Sequence, residues 1–363
     1  MNLGVGLSIA SNATSCIDEV VAYEAAGADT VWVGEGYGFD AVSTMGALAH
    51  ATERVHIGSG ILGLYNRTPT TTAMSMAGVD ALSGGRAILG LGASGPQVVE
   101  GWHGVPYTAP IARTREVVDI CRAVWRRERV EYAGRHYQLP LPAERGTGLG
   151  KALKLIHPPV RDRIPVFLAA LGEKNVALTA EIAEGWLPIF YWPERATDVF
   201  GAALARGLER RDPALGPLRT VATGPLAIGE GTEEALDRQR HNAARYFGGM
   251  GARGHNYYNN LLRAYGYPDE AALIQDFYLD GRRQEAAEAV PDELLRGSSL
   301  IGTSEQILAR LAAYRAAGVT HLTVIPQGAT AEARVDHIAR LRELIDQPAP
   351  EARPLHGTTG SVR

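Results

Sequence analysis

The sequence predicts a (β/α)8 TIM barrel, an α/β ring of eight parallel strands with a helix after each. Three observations lead there. Short β-branched runs alternate with longer amphipathic stretches along almost all of the 363 residues, the pattern of parallel βαβ units. The strand-like runs number eight, which points to a closed barrel rather than an open sheet. Barrels of this kind span about 200 to 400 residues, so residues 1–346 fit one barrel domain, although length alone suggests about two domains.

Taken in order, the strand-like runs are Leu3–Ser8, Thr30–Gly34, His56–Leu62, Ala87–Gly92, Val166–Ala170, Gly185–Phe190, Val221–Ile228 and His321–Ile325. Helical patterns fill the intervals, the first ending at Gly27 and the third at Gly84–Gly85, where glycine suits a helix stop. Two excursions are too long for plain connections. Residues 129–164 hold a probable-hairpin sequence, VEYAGRHYQLP, and a Gly-rich stretch; residues 247–299 are rich in Tyr and Phe. The Pro- and Gly-rich segment 347–363 reads as a frayed tail.

Composition narrows the function classes. Hydrophobic residues make up 45% and charged residues 21%, which excludes a disordered or fibrous chain. A net charge of −4 lacks the basic footprint of a nucleic-acid binder. Two cysteines, Cys16 and Cys121, cannot build a disulfide framework or a cysteine zinc site. The first residues lack a basic leader, and no apolar run reaches the ~20 residues of a membrane span. The expectation is a cytoplasmic protein that contacts neither membrane nor nucleic acid, acts on a small-molecule substrate and forms a homodimer. No His, Cys, Asp or Glu grouping has metal-ligand spacing, so no metal is expected.

Barrel sites lie at the C-terminal ends of strands, which directs attention to a few loops. Gly90-Leu-Gly-Ala-Ser-Gly95 matches a dinucleotide fingerprint, yet Gly101-Trp-His-Gly-Val-Pro106 interrupts the helix that should follow. A bare backbone approached by a ligand, or a structural turn, fits that context better. Leu171-Gly172-Glu-Lys174-Asn175 opens a helix, where free N–H groups and a lysine suit a phosphate. Glu35 follows the second strand among Gly34, Gly36 and Gly38. Burial there would raise its pKa and suit it to proton donation; alternatively it pairs with an arginine such as Arg67. His103 reads as acid–base group or polar loop residue.

The stretches VWVGEGYGFDA (31–41), ERVHIGSGIL (53–62), ALSGGRAILGLGASGPQVVEGWHGVPY (81–107), RTREVVDICR (113–122), LAALGEKNVALTAEIAEGWLP (168–188) and IGTSEQILARLAAYRAAGVTHLTV (301–324) resemble the luciferase-like monooxygenase superfamily. The resemblance is to its branch using the deazaflavin coenzyme F-420. It implies a bacterial-luciferase-like barrel with the coenzyme across the C-terminal mouth. It also implies a bulged third strand whose non-prolyl cis peptide, here Gly60–Ile61, backs the ring. Carried over by position, Ala93, Ser94, Gly95, Gln97 and Val98 would line the coenzyme. Leu171, Gly172, Lys174 and Asn175 would hold its ring edge, ribityl chain or phosphate. The sugar-phosphate dehydrogenases of the superfamily carry Asp-His where this chain has Glu35-Gly36, and a glutamate where it has Ser94–Gly95. That departure argues against their activity and leaves Glu35 as the candidate acid. The implied chemistry is an oxidoreductase passing a hydride between reduced F-420 and a C=C or C=N bond, or the reverse oxidation of an alcohol. An FMN-dependent monooxygenase on the same barrel and a non-catalytic ligand-binding barrel are the alternatives.

Overall fold

A computed structural model describes residues 1–7 and 13–347. Eight parallel strands close into a ring: β1 (Asn2–Leu7), β2 (Thr30–Val33), β3 (His56–Ser59), β4 (Ala87–Gly92), β5 (Val166–Leu168), β6 (Gly185–Trp186), β7 (Arg219–Ile228) and β8 (His321–Pro326). Each pairs in parallel with the next, β6 pairs with β7, and β8 closes on β1. The barrel read from the sequence is the one observed, strand for strand. The frayed tail, beyond Gln347, and the end of the first strand at Ser8 lie outside the described residues.

The strands are buried on both faces, as a ring inside a helical shell requires. Leu3, Val5, Val31, Val33, Leu89 and Leu91 belong to the core shared with the helices. Trp32, Ile88, Phe167 and Val221 form a separate cluster. Trp32 and Phe167 have ring centroids 5.6 Å apart. Gly58 makes room for that indole, since a β-carbon there would collide with it.

Charged side chains seal the N-terminal end of the ring by capping backbone. Glu24 accepts N–H bonds from Glu53, Arg54 and Val55 at 2.6–3.1 Å. Arg86 donates to the carbonyls of Ala49, Thr52 and Val55 at 2.7–3.0 Å. Glu184 holds Arg122, Arg163 and the Val166 N–H. Each of these groups satisfies loop backbone or a charge that burial would otherwise penalise.

Both excursions are structured. Tyr132–Ala133 pairs antiparallel with Gln138–Leu139, the hairpin expected from VEYAGRHYQLP. The aromatic stretch folds into four helices, Tyr257–Ala264, Pro268–Leu279, Arg283–Glu288 and Asp292–Gly297. Among its tyrosines, Tyr265 serves packing: it is buried, donates to the Phe190 carbonyl at 2.9 Å and accepts from the Trp192 N–H at 3.3 Å. The excursion returns through a short strand, Leu300–Gly302, which pairs with the far end of β7 at Leu226–Ile228. No helix among the described residues is long and apolar enough to cross a membrane.

Candidate active site at the barrel mouth

All the sequence-predicted site residues follow four consecutive strands, β2 to β5, so they occupy one arc of the C-terminal mouth. The loops are stitched together: the Gly60 N–H donates to the Val33 carbonyl at 2.7 Å, Leu64 to Gly92 at 2.9 Å and Ala169 to Leu91 at 3.0 Å.

The third strand breaks its regular pairing here. Gly58 pairs with Ile88 and Leu62 with Leu91, so this strand spends one residue more than its neighbour, which defines a bulge. Ser59 bridges the gap, its hydroxyl donating to the Gly90 carbonyl at 2.8 Å and accepting from the Gly90 N–H at 2.9 Å. The peptide bond Gly60–Ile61 is cis, as the resemblance implied. Gly92 lies against Ile61, and a β-carbon there would collide with it. The two backbones meet closely two residues earlier, where a β-carbon on Gly90 would collide with the Ser59 carbonyl.

The loop after β4 turns at Ser94, whose φ of 57° lies in the left-handed region, and enters a six-residue helix, Pro96–Gly101. Ser94 and Gln97 are exposed, while Ala93, Gly95 and Val98 are half-buried. His103 sits in the turn after that helix, its N–H on the Val98 carbonyl at 3.2 Å and its Nε2 buried without a partner.

The loop after β5 is held by Trp186, which donates to the Ala170 carbonyl at 2.9 Å. Leu171 and Gly172 lead into the helix Glu173–Ile182, whose first residue has no side-chain cap. Lys174 is exposed and makes no ion pair among the described residues. Asn175 has its Oδ1 buried and unpartnered. Uncapped N–H groups and an exposed lysine are donors suited to an anion, and the unpartnered amide oxygen is an acceptor suited to a hydroxyl. With the bare backbone at Gly60–Ile61 and at 93–95, the arc fits a flat ring system carrying an anionic, hydroxylated chain.

Glu35 requires a correction. Its carboxylate is 7% exposed and chelated by Arg67 at 2.6 and 2.7 Å, with the Asn66 amide and the Ala41 N–H each at 3.2 Å. Burial pushes its pKa up, but the Arg67 guanidinium and the other donors outweigh burial and hold it below the usual carboxylate value. The correction is to the raised pKa expected there; the pairing with Arg67, the other reading the sequence left open, is the arrangement observed. Arg67 also bonds Asp40, the N-cap of the helix Ala41–Ala51.

Sequence reasoning passed over Tyr107, Tyr65 and Tyr257. Tyr107 lies inside the segment that carried the resemblance, so the signal was present but unread. Among the described residues no group of three His, Cys, Asp or Glu side chains could hold a metal ion.

The family model of the luciferase-like monooxygenases matches residues 3–321. A Mycobacterium tuberculosis protein named as a coenzyme F-420-dependent oxidoreductase is 44% identical over 309 residues, 84% of this chain and 88% of its own. The 5,10-methylenetetrahydromethanopterin reductase of Archaeoglobus fulgidus is 27% identical over 82% of this chain and 85% of its own. Among solved structures, the coenzyme F-420-dependent tetrahydromethanopterin reductase of Methanopyrus kandleri shares the fold, with a TM-score of 0.78 at 20% identity, covering 93% of this chain and 97% of that one. The barrel, its bulged third strand and these matches agree: the chain belongs to the luciferase-like monooxygenase family.

Proposed function

We propose that this chain is a coenzyme F-420-dependent oxidoreductase, reducing a C=C or C=N bond of a small organic substrate or oxidising an alcohol in reverse. The observation that carries this reading is the arc from β3 to β5, where bare backbone meets an uncapped helix start, next to the name borne by the 44% identical relative. The deazaflavin supplies hydride when bound. Gly60 and Ile61 would back its ring, with Ala93, Ser94, Gly95, Gln97 and Val98 along one edge. Leu171, Gly172, Lys174 and Asn175 would hold the side chain and its phosphate. Glu35 and Arg67 fix the rim beside them, and their mutual neutralisation keeps an isolated buried charge out of the mouth.

Calorimetry with F-420 and with FMN tests the reading. The expected result is tighter binding of F-420. Equal or reversed affinities would overturn it.

A further inference from the structure

Ser94 turns the coenzyme loop, and as a non-glycine residue at φ 57° it holds a conformation that L side chains populate rarely. Such a conformation persists where the surroundings hold it. The group in position to do so is Tyr107. Its hydroxyl lies 3.4 Å from the Ser94 carbonyl, and its own N–H is fixed by the Glu100 carboxylate at 3.0 Å. One residue thus clamps both ends of the segment from 94 to 107.

Tyr107 is itself held from two sides. Its ring packs on Tyr65 with centroids 5.3 Å apart, and the Tyr65 hydroxyl donates to the Thr108 carbonyl at 2.8 Å. From the helical excursion, Tyr257 lies close enough to disfavour charge on the Tyr107 hydroxyl. Burial first, then the neighbouring tyrosine hydroxyl, pushes Tyr107 well above the ordinary tyrosine value, so the phenol stays protonated.

We propose that Tyr107 is a positioning residue that holds Ser94 in its left-handed turn and so shapes the coenzyme loop. The inference rests on the coenzyme reading above, because the loop matters through what it binds.

A double-mutant cycle with titrated F-420, followed by coenzyme fluorescence, tests it. Tyr107→Phe keeps the ring on Tyr65 and removes the hydroxyl. It should weaken binding about three- to tenfold, the range for one neutral hydrogen bond, and speed amide exchange over 94–98. Glycine takes the left-handed conformation unaided, so in a Ser94→Gly background the same substitution should change affinity less than about twofold. Unchanged affinity and exchange in Tyr107→Phe, or an equal loss in both backgrounds, would overturn the proposal while leaving the coenzyme reading intact. Wild type preferring FMN would overturn only the coenzyme reading, the cycle then being read on FMN. Wild type binding neither overturns both.

Discussion

The two ends of the barrel are closed by different chemistry. At the N-terminal end, Glu24, Arg86 and Glu184 are saturated, each with three or more backbone or charged partners. At the C-terminal end lie a left-handed serine, a left-handed Phe190, an uncapped helix and buried atoms of Asn66, His103 and Asn175 with no partner. Groups left unsatisfied or strained are where a ligand can complete the bonding, and the residues proposed to hold the coenzyme lie among these. The exception is Glu35, which sits at the mouth yet is saturated in the manner of the opposite end.

Glu184→Ala should give the largest effect on this contrast. It strands Arg122, Arg163 and the Val166 N–H, and should cost about 3–5 kcal/mol in denaturant unfolding with coenzyme affinity of the folded fraction unchanged. A coenzyme defect at preserved stability would erase the division between the ends.

His321, the first residue of β8, carries a pH signature of the N-terminal end. Burial first, then nearby Arg219, holds its pKa down to about 4. The unfolded chain therefore binds more protons between pH 6.5 and 4, and stability should fall as pH drops through that window. The loss should approach about 3 kcal/mol near pH 4. His321→Gln should remove this component, seen as a flatter dependence of melting temperature on pH.

Glu35→Gln separates the two readings of the mouth carboxylate. A proton donor would lose turnover by about 10²–10⁴-fold at unchanged stability. The observed chelation by Arg67 predicts the reverse, a stability loss of about 1–3 kcal/mol, since Arg67 keeps Asp40 as its one charged partner.

The smallest effect is expected at Lys174. Lys174→Ala should weaken coenzyme binding a few-fold, and the difference should shrink at high salt, as for an exposed charge contact. Equal loss at all salt concentrations would remove the phosphate role.

Periodicity made the barrel legible, because a strand buried on both faces and a helix buried on one leave different spacings of apolar residues. The Gly90–Gly95 loop and the helix start at Glu173 were legible as departures from those spacings, whereas Gly60–Ile61 and the roles of residues 93–98 came from the resemblance to the family. The state of Glu35 was not, since its pKa depends on whether burial or Arg67 prevails, and Arg67 is 32 residues away in the chain. The helices between Tyr257 and Gly297 were hidden for a related reason: they are short, and their tyrosines bury against Phe190 and Trp192 of a distant loop. Tyr107 lay in the matched segment, but its role as a clamp needed its contacts with Ser94 and Tyr65, which only the fold brings together.

The length of β7 has a practical consequence. Its first residues pair with β6, its middle with β8, and its last three with Leu300–Gly302 beyond the excursion. The excursion is therefore indexed to the ring by backbone bonds rather than tethered at one end. In a chimera that exchanges this segment with a relative's, the transplant boundary belongs before Arg219 and after Gly302, so that donor strand and donor return strand travel as one piece. A splice placed inside β7 would ask two unrelated registers to agree.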